Sequence, residues 1–148
     1  MIVLVLDQAT KYLVSTTFNL YDSRVIIPGL FNITYITNTG AAFGILQGAE
    51  RWRHIFFQTI SVCALFALIY VYKSARQKST AFFWGLSLIF GGAMGNLVDR
   101  VRHGYVIDFL DFYIGDMHWP AFNIADSAIT VGATLLAFHF LFSHRDLE

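Results

Sequence analysis

The sequence predicts a mainly α membrane protein, with four spanning helices and a small extramembrane β-sheet between the first two spans. Three observations carry that prediction: a deficit of charge, three long stretches almost free of charged residues, and one β-rich segment of different texture. Of 148 residues, 56% are hydrophobic and 17% aromatic, and only 14% are charged, against about 25% in a typical soluble domain. Lipid is therefore part of the solvent of this chain.

Other bulk features narrow the classes further. Lys and Arg total 10, as do Asp and Glu, so the formal net charge is zero. The basic residues form no patch, and nucleic acid is not an expected partner. Cys63 is the single cysteine, which rules out an intrachain disulfide framework and a multi-cysteine metal site. Set in an apolar run, it reads as a small buried hydrophobe. Residues 1–6 are apolar, but no basic residue precedes them, and Asp7 and Lys11 come too soon for a signal-peptide core.

The whole chain, 1–148, reads as a single integral membrane domain. Residues 1–16 are the first expected span, about 24 Å long at about 1.5 Å per residue. They contain Asp7, Gln8 and Lys11, so an interfacial helix is the alternative. Residues 24–47 are rich in β-branched and aromatic side chains and predict the sheet. Within them Pro28-Gly29 is a turn dipeptide, and Ile33, Tyr35 and Thr37 share one strand face. Residues 55–72 and 81–98 contain no charged residue, and 120–142 contain one acid, Asp126. Each is long enough for a hydrocarbon core of about 30 Å, which takes roughly 20 helical residues.

The connection at 73–80, KSARQKST, is basic without an acid, which favours the cytoplasm and puts both termini there. The sheet and the loop at 100–119 then lie on the opposite face. Arg24, Arg51, Arg53, Arg100 and Arg102 on that face count against this orientation, although most of them neighbour acids.

The acids are unevenly placed. Asp7, Asp22, Glu50, Asp99, Asp108, Asp111, Asp116 and Asp126 map to one membrane face, and Asp146 and Glu148 to the other. An acid near the bilayer centre costs about 2.5–3.5 kcal/mol, so acids inside spans are functional candidates. Asp126 lies near the start of the last span with Asn123 three residues before it, on a shared helical face. An acid stabilised by the helix dipole is the structural alternative. Gly91 and Gly95 form a small-xxx-small pair that admits a close neighbouring helix. Asn96, Asp99 and Arg100 follow at helical spacing; Asp99 and Arg100 also read as a plain interfacial ion pair.

Asp108 is flanked by Val106, Ile107, Phe109 and Leu110, an apolar setting that disfavours its charge. Two carboxylates brought together share a proton, one serving as base for water and the other as acid for a carbonyl oxygen. Asp108 and Asp126 are the expected pair. Three other readings stay open on residue chemistry alone. Intramembrane acids also mark ion and proton paths, a structural membrane subunit is possible, and His103 and His118 near the acids keep a metal site conceivable. No HExxH, GxSxG, P-loop or GxGxxG pattern occurs.

Five blocks occur in order along the chain: DQATK (7–11), YITNTGAAFG (35–44), GGAMGNLVDR (91–100), VIDF (106–109) and FNIADSAITVG (122–132). Together they closely resemble bacterial lipoprotein signal peptidase, or signal peptidase II. The resemblance implies four transmembrane helices, a periplasmic β-cradle and a short helix-bearing periplasmic loop in the bacterial cytoplasmic (inner) membrane. It implies an aspartic endopeptidase, active at the periplasmic face, that cleaves a prolipoprotein signal peptide before the diacylglyceryl-modified cysteine. The implied catalytic acids are Asp108 and Asp126, with Asp7, Lys11, Asn38, Asn96, Asp99, Arg100 and Asn123 in support. In that picture Asn38 and Arg100 hold substrate backbone or the inhibitor globomycin, Asn96 and Asn123 orient the acids, and Asp7 and Asp99 serve the architecture. The implied partners are lipidated prolipoprotein and membrane lipid; no metal or cofactor is expected. In one departure, only a short segment precedes Asp7, where the family usually carries more residues, some of them basic.

Overall fold

The computed structural model describes residues 1–40, 50–75 and 79–143, apart from the side chains of Glu50, Arg51, Arg53 and Ser143. Expected sheet residues 41–47, and Asp146 and Glu148, lie outside them. The elements run α1 (Ile2–Thr17), β1 (Ser23–Ile27), β2 (Phe31–Asn38), α2 (Glu50–Ser74), α3 (Thr80–His103), β3 (Val106–Ile114), β4 (Met117–His118) and α4 (Ile124–Ser143). Among the described residues, three helical segments are long and apolar enough to cross a membrane: His54–Ser74, Thr80–His103 and Ile124–Phe142.

α3 is the central helix. It packs most extensively on α4 and also meets α1 and α2. Glycines make the approach possible: a Cβ on Gly91 would meet Val3 of α1, and one on Gly92 would meet the Ala125 carbonyl of α4. Gly85 and Gly132 face each other lower in the same α3–α4 contact. The small pair expected at Gly91 and Gly95 thus seats α1, as small residues do where apolar driving force is absent. Ser79 caps α3, accepting the Phe82 N–H at 3.1 Å, and Gly104 ends it in the left-handed region.

Large apolar side chains point outward, including Phe56, Phe66, Trp84, Phe138 and Phe142, while Asp7, Lys11, Asn96, Asp99 and Asn123 are buried. That inversion of the soluble pattern suits a lipid solvent. Cys63 follows it: the expected buried position is in fact exposed, because α2 presents most of its surface outward.

The sheet is antiparallel with order β1-β2-β3-β4. The β1–β2 turn is the one expected at Pro28-Gly29, with the Leu30 N–H on the Ile27 carbonyl at 3.1 Å and Gly29 at φ 78°. Half of the sheet comes from elsewhere, however. Within the expected 100–119 loop, α3 continues to His103 and the remainder supplies β3 and β4. Residues 104–119 form strands and turns. A bulge in β2 between Ile33 and Ile36 shifts its register against β3 and pairs Ile36 with Asp108.

Candidate active site

Two backbone junctions bring Asp108 and Asp126 together. Past the Gly104 cap the chain turns back as β3, and the Ile107 N–H donates to Asp99 Oδ2 at 3.2 Å. Asp108 follows, 2% exposed. The residue before the α4 cap, Phe122, is stitched to β3: its N–H donates to the Leu110 carbonyl at 3.1 Å, and its carbonyl accepts from Leu110 at 2.8 Å. This pairing sets Asn123 beside Asp108, and Asn123 Nδ2 donates to Asp108 Oδ1 at 2.8 Å.

Asn123 is also the N-cap of α4. Its Oδ1 accepts the Asp126 N–H at 2.9 Å, while Asp126 Oδ2 accepts the Asn123 N–H at 3.3 Å. This is a reciprocal capping box. The three-residue spacing thus has a local structural cause, and the shared helical face expected for Asn123 is replaced by a cap. What the cap does not explain is the second contact of Asn123, on Asp108. One side chain therefore touches both acid positions.

The remaining partners of the two carboxylates are amides. Asn96 Nδ2 donates to Asp126 Oδ1 at 2.8 Å, and Asn38 Nδ2 to Asp108 Oδ2 at 2.9 Å. Lys11 Nζ donates to Asn96 Oδ1 at 3.0 Å, so the amide of Asn96 must turn its NH₂ toward Asp126. Burial pushes the Asp108 carboxyl up to about 6 from 3.8. Hydrogen bonds from Asn38 and Asn123 and the charge of Lys11 oppose that rise, and the charge of Asp126 adds to it.

Beneath this pair lies a second one. Lys11 Nζ is 2.9 Å from Asp7 Oδ2 and 2.8 Å from Asp99 Oδ2. With the bond to Asn96, every ammonium proton has a buried acceptor. Asp7 Oδ1 accepts the Ala125 N–H at 2.9 Å, so an acid of α1 caps the start of α4. Gly95 leaves the space: a Cβ there would collide with Asp7 Oδ2.

Arg100 differs from its expected pairing. Asp99 is taken by Lys11, and the guanidinium turns to α2, with Nη1 3.2 Å from Ser61 Oγ and Cζ 6.0 Å from the Phe57 ring centroid. The charges of Asp126, Asp108 and Asp99 all still act on it. The two histidines near the acids are engaged elsewhere: His118 Nδ1 is 2.8 Å from Asp111 Oδ1, and His103 stacks on Tyr105.

A cleft of about 290 Å³ opens on Asp108, lined by Ile36, Thr37, Asn38, Thr39, Pro120 and Ala121. Its size and open side suit an extended peptide segment. Gln8 was not singled out by the sequence, although it lies in the DQATK block; its amide reaches both Asp7 and Asp99. Its position one residue after Asp7 was the available signal.

Comparison with known proteins bears on this arrangement. The family described as "Signal peptidase (SPase) II" matches residues 1–142. The lipoprotein signal peptidase of Desulforapulum autotrophicum is 47% identical, covering 96% of this chain and 88% of its own length. That of Geobacter metallireducens is 50% identical, covering 96% and 87%. A solved bacterial membrane enzyme, determined by the in meso method at 2.3 Å resolution, superposes with a TM-score of 0.85 at 39% identity, over 99% of this chain and 87% of its own. A second, at 1.9 Å, gives 0.84 at 40% identity over 95% and 88%. An acid pair held by asparagines at the end of an apolar bundle thus stands in a chain matched over nearly its whole length, and the protein belongs to the signal peptidase II family.

Proposed function

We propose that this protein is an aspartic endopeptidase of the bacterial inner membrane that removes the signal peptide from diacylglyceryl-modified prolipoproteins, cutting before the lipidated cysteine. The observation that carries the reading is the Asn123 bridge, which binds Asp108 and caps the helix of Asp126. Two acids linked through one asparagine, each acting on the other's charge and with amides for partners, are suited to share one proton.

Catalysis then runs as follows. A water molecule lies between the carboxyls, and Asp126 takes its proton as the oxygen attacks the scissile carbonyl carbon. Asp108, pushed up to about 6, gives the shared proton to the carbonyl oxygen. The tetrahedral intermediate collapses as a proton passes to the leaving amide nitrogen, which departs as the amine of the lipidated cysteine. Asn38 and Arg100 border the path of the substrate backbone, Asn96 and Asn123 orient the acids, and Asp7, Lys11 and Asp99 hold the framework.

α1 serves as the fourth span. Its charged pair is satisfied inside the bundle, leaving Leu6 and Leu13 on its exposed surface. Both termini are cytoplasmic, and the sheet and the acid pair lie at the periplasmic face.

The test is cleavage of a lipidated prolipoprotein by the purified protein in lipid or detergent, with the new N-terminus read by mass spectrometry. The expected product begins at the lipidated cysteine, globomycin blocks its release, and chelators do not. Cleavage at another bond, or full activity in an Asp108→Asn or Asp126→Asn variant, would overturn the assignment.

A further inference from the structure

Each supporting acid grips one backbone N–H, and the positions of those N–H groups are informative. Asp7 holds that of Ala125, the residue immediately before Asp126. Asp99 holds that of Ile107, the residue immediately before Asp108. The two gripping carboxylates are tied together twice. Lys11 is one tie, at 2.9 and 2.8 Å. The other is Gln8, whose Nε2 lies 2.9 Å from Asp99 Oδ1 and 3.2 Å from both Asp7 Oδ2 and the Gly95 carbonyl.

We propose that Gln8 is a positioning residue for the reaction: with Lys11 it clamps Asp7 to Asp99 and so sets the separation of Asp108 and Asp126. The proposal rests on the proton-sharing reading of that pair. Its logic is mechanical. The reacting acids belong to a strand and a helix that reach the site from different directions. Pairing of Phe122 with Phe109 and Leu110 joins strand to helix on one side of the acids; on the other side the N–H groups of Ile107 and Ala125 are held by the Asp99 and Asp7 side chains. A lysine alone forms a single-atom pivot about which Asp7 and Asp99 can swing. A second bridge between the same two carboxylates, anchored also to the α3 backbone at Gly95, removes that freedom.

The charged groups facing the reacting pair are Asp7 and Lys11 from α1 and Asp99 and Arg100 from α3. Gln8 adds no charge, so its effect is geometric.

The experiment uses Gln8→Met, which keeps the length of the side chain and removes both amide donors. Cleavage of a lipidated prolipoprotein is followed against pH, with folded fraction measured by circular dichroism. A lowered kcat of about 10-fold with KM nearly unchanged is expected, since small displacements of reacting groups cost this much or more. The bell-shaped profile narrows as well, because carboxyls moved apart couple less and their two apparent pKa values converge. A role confined to folding would scale the profile by the folded fraction and leave its width alone; that result overturns the clamp.

Where Gln8→Met accumulates too little folded protein, Gln8→Glu replaces it. The introduced carboxyl repels Asp7 and Asp99 when ionised and donates to Asp99 when protonated, so activity is lost on the alkaline limb and regained toward acid. An alkaline limb matching the parent protein counts against the clamp. Asp108→Asn in the same assay separates the two ideas. Activity in that variant removes the shared-proton reading, whereas an inactive Asp108→Asn beside an unaffected Gln8→Met removes the clamp alone.

Discussion

Two pairs of acids lie next to each other in this protein and differ in what stands between them. Asp7 and Asp99 have the Lys11 ammonium at 2.9 and 2.8 Å. Asp108 and Asp126 have amides, from Asn38, Asn123 and Asn96. An amide satisfies a lone pair but brings no charge. The lower pair therefore has a counter-charge between its members, and each acid also accepts a backbone N–H, while the upper pair keeps a like-charge conflict that one proton resolves. The same residue type thus builds scaffold or chemistry according to its partner.

The comparison breaks most visibly at the upper pair. Replacing Asp108 or Asp126 by Asn is expected to lower cleavage by at least about 10³-fold, with thermal unfolding in detergent moved by only a few degrees. Matched loss of activity and folding would erase the distinction between the pairs. At the lower pair the expected outcome is reversed. Lys11→Met leaves two buried carboxylates, 0% and 2% exposed, without a counter-charge. A loss of roughly 3–5 kcal/mol follows, and an added Asp99→Asn restores part of it; thermal unfolding of the single and double variants measures both.

A smaller effect separates the pairs by pH. Asp108 titrates near 6 in the folded protein against an ordinary 3.8. Its contribution to stability is fully present below the lower value and is lost as pH rises through the upper one, on the order of 3 kcal/mol. The difference in Tm between the parent protein and Asp108→Asn should therefore change between about pH 4 and 7 in that direction; a constant difference would contradict it. The smallest effect is at Asn38, whose side chain is exposed. Its hydrogen bond favours the ionised Asp108, so Asn38→Ala raises that carboxyl further and moves the alkaline limb of the kcat/KM profile, where the acid Asp108 loses its proton, upward.

Much of this site was legible in the chain, and the parts that were not share a cause. Asp108 stood out because Val106, Ile107, Phe109 and Leu110 surround it, and it is 2% exposed. The spacing of Asn123 and Asp126 was visible, but its local meaning was a capping box, and the contact on Asp108 depends on Phe122 pairing with Leu110. The plain reading of Asp99 and Arg100 as an interfacial ion pair does not hold; burial gave Asp99 to Lys11, because an ammonium inside the bundle needs every proton accepted. Residues 104–119 read as a loop since their hydrogen-bonding partner, β2, lies far back in the chain.

Lipid as solvent, the three long apolar helices and the Pro28-Gly29 turn follow from residues close together in the sequence. Transfer energy adds up over a continuous window, and a turn is set by the φ values of its own residues. The partner of a buried polar group is a different kind of fact. Asp7 caps a helix 118 positions away, and nothing near Asp7 encodes the address of Ala125. That choice belongs to the packed bundle, where Gly95 opens room for one carboxylate and the register of β3 fixes where the next one sits.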